Sequence, residues 1–292
     1  MQLSLDSKFA TYTPPKSQLL KWVGNKQRFA AEIARFFPTD FRTFYEPFLG
    51  SGAVMATVAP NRGVGSDAFK PLIEIWQKLK TDPNGLIDWY AEHRNKVLDD
   101  NKVKVYDSVK ASFNANHNGK DFLFLTRSCY GGIVRFRKSD GYMSTPCGPH
   151  TPISVQSFAK RVKDWHNRIK NVNFLHADYK DVFELAKEGD LIYCDPPYSH
   201  SQGILYGAQA FNLEDLFLEI SKAKDKGIRV ALSIDGSKKS GNYICDLPIP
   251  ENVFDEEIFV SVGRSMLKRL QMEGQTLENE IVSDRLLLNY TI

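Results

Sequence analysis

Cysteine is scarce. The 292 residues hold four, Cys129, Cys147, Cys194 and Cys245, far apart and with no Cys-x-x-Cys pair. That pattern offers neither a disulfide framework nor a zinc site, and reduced thiols in a cytosolic compartment are expected. No metal is expected. No apolar run approaches the ~18 residues of a membrane span. The opening MQLSLDSKFATYTPPK lacks the basic-then-apolar layout of a secretory signal, so the cytoplasm is the expected location. Internal repeats and low-complexity tracts are absent. Neither sign of charge dominates: 38 basic against 35 acidic side chains leave +3, so any phosphate contact must be a local patch. Apolar content of 42% and charged content of 25% are those of an ordinary globular protein, with one large domain or a core and an appendage.

What is present is an alternation of elements. Asn25 to Phe37 reads as a helix with Phe29, Ile33, Phe36 and Phe37 on one face, stopped by Pro38. A strand is expected at 43–48, a tight turn at Leu49-Gly50-Ser51-Gly52, a helix over 53–59, a strand over 63–67 and a helix over 68–80 facing inward with Ile73, Trp76 and Leu79. From about residue 81 to 167 the chain becomes polar and helix-rich. Alternation resumes with strands at 172–178 and 190–194, a helix near 213–226, a strand at 229–234 and a terminal strand from 284 containing Leu286-Leu287-Leu288. Strands alternating with helices imply an α/β fold with a parallel or mostly parallel sheet covered on both faces. The middle stretch then forms an insertion, giving a core of 1–80 and 168–292 and an inserted domain of 81–167.

Three motifs carry chemistry. Strand, Gly50-x-Gly52 turn, helix and then Asp67 at the end of the next strand is the layout of a nucleotide-type pocket, although the turn by itself is equally a tight βα connection. No Gly-Lys-Ser/Thr follows, which excludes a phosphate-cradling loop and favours a ligand without a phosphate chain, such as S-adenosylmethionine. Earlier, Lys26 stands near an expected helix start, where a cation is unfavourable unless it holds an anion such as an amino-acid carboxylate. Finally, the apolar run Leu191 to Cys194 ends in Asp195-Pro196-Pro197-Tyr198. The prolines set a rigid extended turn whose carbonyls remain acceptors. Asp195 and the Pro196 carbonyl thus offer two acceptors to one amino group, and Tyr198 offers a flat face to a ring. That combination suits methyl transfer to an aromatic amine, achieved by positioning and electrostatics.

The set Leu20-Lys21-Trp22-Val23-Gly24-Asn25-Lys26, Tyr45-Glu46-Pro47-Phe48-Leu49-Gly50-Ser51-Gly52, Asp67 and Asp195-Pro196-Pro197-Tyr198, in that order, resembles the Dam-type DNA adenine methyltransferases over roughly residues 19 to 290. The resemblance implies a Rossmann-like methyltransferase sheet with an inserted, mostly helical target-recognition domain. It further implies transfer of a methyl group from S-adenosylmethionine to N6 of an adenine flipped out of duplex DNA. The cofactor residues it implies are Trp22, Lys26, Glu46, Pro47, Phe48, Gly50, Ser51, Gly52, Asp67 and Asp195. Asp178 and Tyr179 join them, Asp178 being equally suited to cap the next helix. The catalytic set is Asp195, Pro196, Pro197 and Tyr198. A bacterial, archaeal or phage chain is implied, with a restriction endonuclease acting separately as a further partner. Methylation of RNA adenine or of a protein glutamine amide is the alternative that the tetrapeptide alone leaves open.

Within the insertion, Tyr130-Gly131-Gly132-Ile133-Val134-Arg135 followed by a glycine-containing hairpin is similar to the family's recognition segment. Arg135 matches its base-contacting arginine, suited to a guanine edge in the major groove. Arg127, Arg137 and Lys138 are expected on phosphates, Tyr130 with them on DNA, and Tyr142 near the extruded base. Gly131 replaces the family's asparagine and the hairpin has one extra residue, which implies a target other than plain GATC. A second basic cluster, Arg264 to Arg269, suits either the DNA backbone or a solvated surface.

Overall fold

A computed structural model of the chain describes residues 11–197, 211–238, 243–244, 249–263 and 282–292. Strands β1 (Phe44–Glu46), β2 (Gly63–Asp67), β3 (Val172–His176), β4 (Leu191–Cys194) and β5 (Arg229–Lys238) run parallel in the order β3-β2-β1-β4-β5. A short β6 (Tyr243–Ile244) pairs antiparallel with β5. β7 (Glu256–Gly263) and β8 (Val282–Leu288) complete the sheet antiparallel, with β8 between β5 and β7.

Strand residues alternate between two cores because successive side chains leave a strand on opposite faces. Leu191 and Tyr193 of β4 join one core, Ile192 and Cys194 the other. The second face is covered by α8 (Tyr179–Leu185) and α9 (Leu213–Asp225), through Val182, Phe183, Leu216 and Ile220. The first face carries α1 (Ala30–Ala34), α2 (Ala53–Val58) and α3 (Lys70–Thr81). Ile73, Trp76 and Leu79 of α3 face inward as their spacing predicts.

The stretch after α3 holds α4 (Pro83–Asp99), α5 (Lys102–Ala115), α6 (Gly119–Ser128) and α7 (Val155–Ile169). Among the described residues these helices share the core of the sheet's first face. Trp165 of α7 lies 5.5 Å from Trp76, and Phe158 lies 4.3 Å from Tyr90 of α4. α7 buries Phe158, Val162, Trp165 and Ile169, one stripe at helical spacing that continues past residue 167.

Two local expectations are corrected. The helix expected from Asn25 is confined to Ala30–Ala34, flanked by single turns such as Phe29 N–H to Lys26 C=O at 2.8 Å. Lys26 therefore belongs to a loop, not to a first helical turn. The strand expected over 172–178 ends at His176, and Asp178 caps α8. Asp178 accepts from Lys180 N–H while Asp181 accepts from the Asp178 N–H, a reciprocal cap.

Candidate active site

Because β1, β2, β3 and β4 are parallel, their carboxyl ends share one edge of the sheet. The chain steps outward from β1 to β2 and β3, then returns to place β4 on the other side of β1. Open α/β sheets leave a crevice at this reversal. A cavity of about 530 Å³ opens there, lined by Trp22, Lys26, Glu46, Gly50, Asp67 and Asp195 among others.

The turn after β1 is built for close approach. Gly50 and Gly52 have φ of +45° and +60°, in the left-handed region that only glycine enters freely. A Cβ on Gly50 would stand 2.9 Å from Trp22 Nε1. The Gly50 N–H donates to Asp67 Oδ2 at 3.1 Å, and Phe69 N–H donates to Asp67 Oδ1 at 3.0 Å. Asp67 thus ties the turn to the end of β2, and burial pushes its carboxyl above the usual range against those two hydrogen bonds. Ser51 is buried within the turn, and Pro47 C=O accepts from Ser66 Oγ at 3.5 Å. Phe48 stacks on Tyr179 at 5.3 Å, and Phe211 meets Phe48 edge-on at 5.6 Å, forming an aromatic wall.

Glu46 ends β1 with 3% of its surface exposed, its Oε2 accepting from Met55 N–H of α2 at 2.8 Å. Burial pushes its carboxyl well above the usual carboxylate range; the Met55 hydrogen bond opposes this and the Asp195 charge adds to it. A carboxyl with a raised folded pKa binds its proton more tightly in the folded state. Its contribution to stability is complete below the unfolded value of about 4.3 and is lost as pH rises through the folded value. Glu46→Gln keeps an acceptor for Met55 and removes that titration. Thermal unfolding between pH 5 and 8 should show the variant gaining on wild type as pH rises; parallel profiles would contradict this.

At the end of β4, Lys26 Nζ lies 3.2 Å from Asp195 Oδ1, with side-chain exposures of 8% and 20%. Among the described residues, the carboxylate of the Asp-Pro-Pro turn is thus an anion that faces Lys26. Pro196 is buried and Pro197 lines the cavity. Tyr198 lies outside the described residues, as do Arg264 to Arg269.

The segment expected to read the target lies beside the same cavity. Arg137 N–H donates to Tyr142 C=O at 2.9 Å and Ser144 N–H to Arg135 C=O at 2.9 Å, forming a hairpin whose Phe136, Arg137, Lys138 and Gly141 line the cavity with His117. Gly131 has φ +64°, in the left-handed region that glycine enters freely. Arg135, Lys138 and Tyr130 are exposed. Arg137 is held by both oxygens of Asp140, at 3.1 and 2.7 Å, and lies 4.3 Å over the ring of the half-buried Tyr142. Arg127 corrects the expectation of a phosphate contact: it is 8% exposed and donates to Leu19 C=O at 2.6 Å.

Sequence reasoning missed Phe69, Phe211 and His117 in the cavity wall. An Asp-x-Phe before a helix signals the Asx turn that places Phe69. Phe211 and His117 carry no local signal, since only the tertiary fold brings them there. Among the described residues no cluster of His, Cys, Asp or Glu is placed to hold a metal, and no helix is long and apolar enough to cross a membrane.

A crevice at the strand-order reversal, a glycine turn locked to an acid and the Asp195-Pro196-Pro197 turn at the end of β4 place the candidate site of this α/β fold at the carboxyl edge of its sheet. The particular family follows from comparison: the chain belongs to the D12 class N6 adenine-specific DNA methyltransferases, whose model matches residues 22–258. It is 29% identical over 230 residues to a DNA adenine methylase of Vibrio cholerae, covering 73% of this chain and 79% of that one. It is 31% identical over 195 residues to the retron Ec67 DNA adenine methylase of Escherichia coli, covering 62% and 64%. It is 27% identical over 198 residues to the type II methyltransferase M.MjaIII of Methanocaldococcus jannaschii, covering 61% and 68%. The protein is a site-specific DNA adenine methyltransferase, with DNA as substrate and a methyl donor as co-substrate. Adenine in DNA, rather than RNA adenine or a glutamine amide, is the methyl acceptor.

Proposed function

We propose that the cavity holds S-adenosylmethionine beside an adenine extruded from duplex DNA, and that Asp195 and Pro196 receive the adenine's amine. The observation that carries this reading is the meeting of Asp195 and Pro197 with the Gly50–Asp67 turn in one cavity.

The donor set fits the cofactor. Two of the roughly four lone-pair directions of Asp67 serve Gly50 and Phe69, which leaves acceptor capacity for ribose hydroxyls. The missing Cβ of Gly50 lets Trp22 pack directly on the turn at the cavity wall, and Phe48 and Tyr179 offer aromatic rings beside it. When bound, the cofactor supplies an electrophilic methyl carbon on a sulfonium.

The residues of the chain do the rest. Adenine's exocyclic nitrogen is a poor nucleophile because its lone pair is delocalised into the ring. An Asp195 oxygen and the Pro196 carbonyl accept its two hydrogens and favour a pyramidal nitrogen. As the N–C bond forms, the methyl–sulfur bond breaks with its electron pair left on sulfur. The nitrogen turns cationic and one of its protons, now acidic, leaves along the Asp195 hydrogen bond to water, so no strong base is required. Lys26 orients the Asp195 carboxylate across their ion pair. The cavity's apolar walls displace water, which strengthens each of these interactions.

Residues 81–167 serve as the target-recognition insertion on a catalytic core of 1–80 and 168–292. Arg135 reads a base edge, Lys138 and Tyr130 meet the DNA surface, and Tyr142 backs the hairpin near the base. The type II name of the archaeal relative supports a restriction endonuclease that acts separately, and the organisms of the relatives support a cytoplasmic setting. Mapping methylated adenines in DNA treated with pure protein and S-adenosylmethionine should give one short motif other than plain GATC. Arg135→Ala should relax that motif at one base pair by roughly 1–3 kcal/mol. Uniform weakening over all sequences would make Arg135 a phosphate contact instead.

A further inference from the structure

Trp22 and Lys26 stand on a segment, residues 13–26, that has no helix or strand of its own. Carbonyls in such a segment must find donors elsewhere when buried. Here the donors are side chains of α6 and α7. Arg168 Nη1 donates to Thr13 C=O at 2.6 Å, Trp165 Nε1 to Ser17 C=O at 2.8 Å and Arg161 Nη1 to Gln18 C=O at 2.7 Å. Arg127 Nη1 reaches both Leu19 C=O at 2.6 Å and Gln18 C=O at 3.3 Å.

Arg127 is the most telling of these. Its guanidinium is buried, and burial with the Arg161 charge disfavours its cationic form while Tyr90, rather than a carboxylate, opposes that. Phe158 lies under it at 5.8 Å. Burying a cation without an anion is costly, and an apolar side chain of similar volume would avoid that cost. What arginine adds is an Nη1 group whose two hydrogens reach the consecutive carbonyls of Gln18 and Leu19, the latter three residues before Trp22. A second contact lies beside it: a Cβ on Gly132 would stand 2.9 Å from Lys21 Cβ, so the start of the recognition loop presses on the same segment.

We propose that Arg127 is a positioning residue of the cofactor site, fixing the 13–26 segment so that Trp22 and Lys26 face the cavity. The inserted helices are then part of the cofactor pocket as well as the carrier of the recognition hairpin. This inference rests on the cofactor reading above.

The test uses the full chain, with calorimetry for S-adenosylmethionine in the absence of DNA, duplex binding over a salt series, and steady-state kinetics. Arg127→Met should raise the cofactor Kd about tenfold, as expected when only a tenth of molecules hold the segment in place. KM for the cofactor should rise with it while kcat at saturation changes less than about threefold, the pattern of lost ground-state binding. The slope of log K against log salt should not change, and Arg127→Lys should recover part of the affinity. An unchanged cofactor Kd with a salt slope shallower by about one would overturn the proposal and return Arg127 to the phosphates. If Arg127→Met does not fold, Arg161→Met, which removes one of the two donors to Gln18, replaces it under the same criteria. A wild-type chain that binds no S-adenosylmethionine overturns the cofactor reading and this inference together; wild-type binding equalled by the variant overturns this inference alone.

Discussion

Asp195→Asn should lower the rate of adenine methylation by roughly 10²–10³-fold while leaving duplex affinity nearly unchanged. The exchange keeps the volume of the side chain and replaces one of its acceptors by an NH2. Facing the adenine amine, that group sets donor against donor, and the geometry proposed for the attacking nitrogen is lost. Asparagine is a cleaner probe than alanine because of Lys26. The lysine side chain is 8% exposed and lies 3.2 Å from Asp195 Oδ1, so a truncation to alanine also leaves an empty space beside a buried ammonium. Single-turnover measurement with saturating DNA and cofactor isolates the chemical step. Turnover equal to wild type would remove Asp195 from the reaction.

Lys26→Met should destabilise the protein by about 2–3 kcal/mol, below the usual cost of breaking a fully buried pair because Asp195 keeps a fifth of its side chain exposed. It should also slow methyl transfer at saturating cofactor, because Lys26 orients the Asp195 carboxylate. The informative comparison is the double variant with Asp195→Asn. If the two charges stabilise each other mainly as a pair, the second exchange costs less once the first is made, with a coupling of about 1–2 kcal/mol. Urea unfolding of the four proteins measures this directly. Strict additivity would mean that the two side chains are close without being energetically linked, and Lys26 would lose its role in orienting the catalytic carboxylate.

The legible parts of this chain are those in which few neighbouring residues suffice. Gly50 and Gly52 announce a left-handed turn because only glycine enters that conformation freely, and both show positive φ. The apolar run ending at Asp195 announces a buried strand and its stop, and β4 ends at Cys194. Ile73, Trp76 and Leu79 announce the buried face of α3 by spacing alone. Asp178 suits either a cap or a ligand role by sequence; it caps α8 and also lines the cavity.

The misread parts are those where distant segments decide. Lys26 was expected at a helix start, but the helix begins at Ala30 and the lysine faces Asp195, 169 positions further along. Arg127 sits in a basic, aromatic stretch that looks solvent-facing, yet α6 turns it inward onto the carbonyls of residues 18 and 19. Composition cannot separate those two fates, because an exposed arginine and one satisfied by buried carbonyls leave the same local pattern.

Chain order alone therefore settles the alternation of strands and helices, the glycine turn, the acid after β2 and the acidic elbow after β4. Each depends on dihedral preference or side-chain period, which act over a few residues. The three-dimensional fold alone settles the antiparallel placement of β7 and β8, the pairing of Lys26 with Asp195, the aromatic wall completed by Phe211 and the inward turn of Arg127. Those depend on which carbonyls, charges and rings are buried together, a property of packed surfaces that no short window of sequence contains.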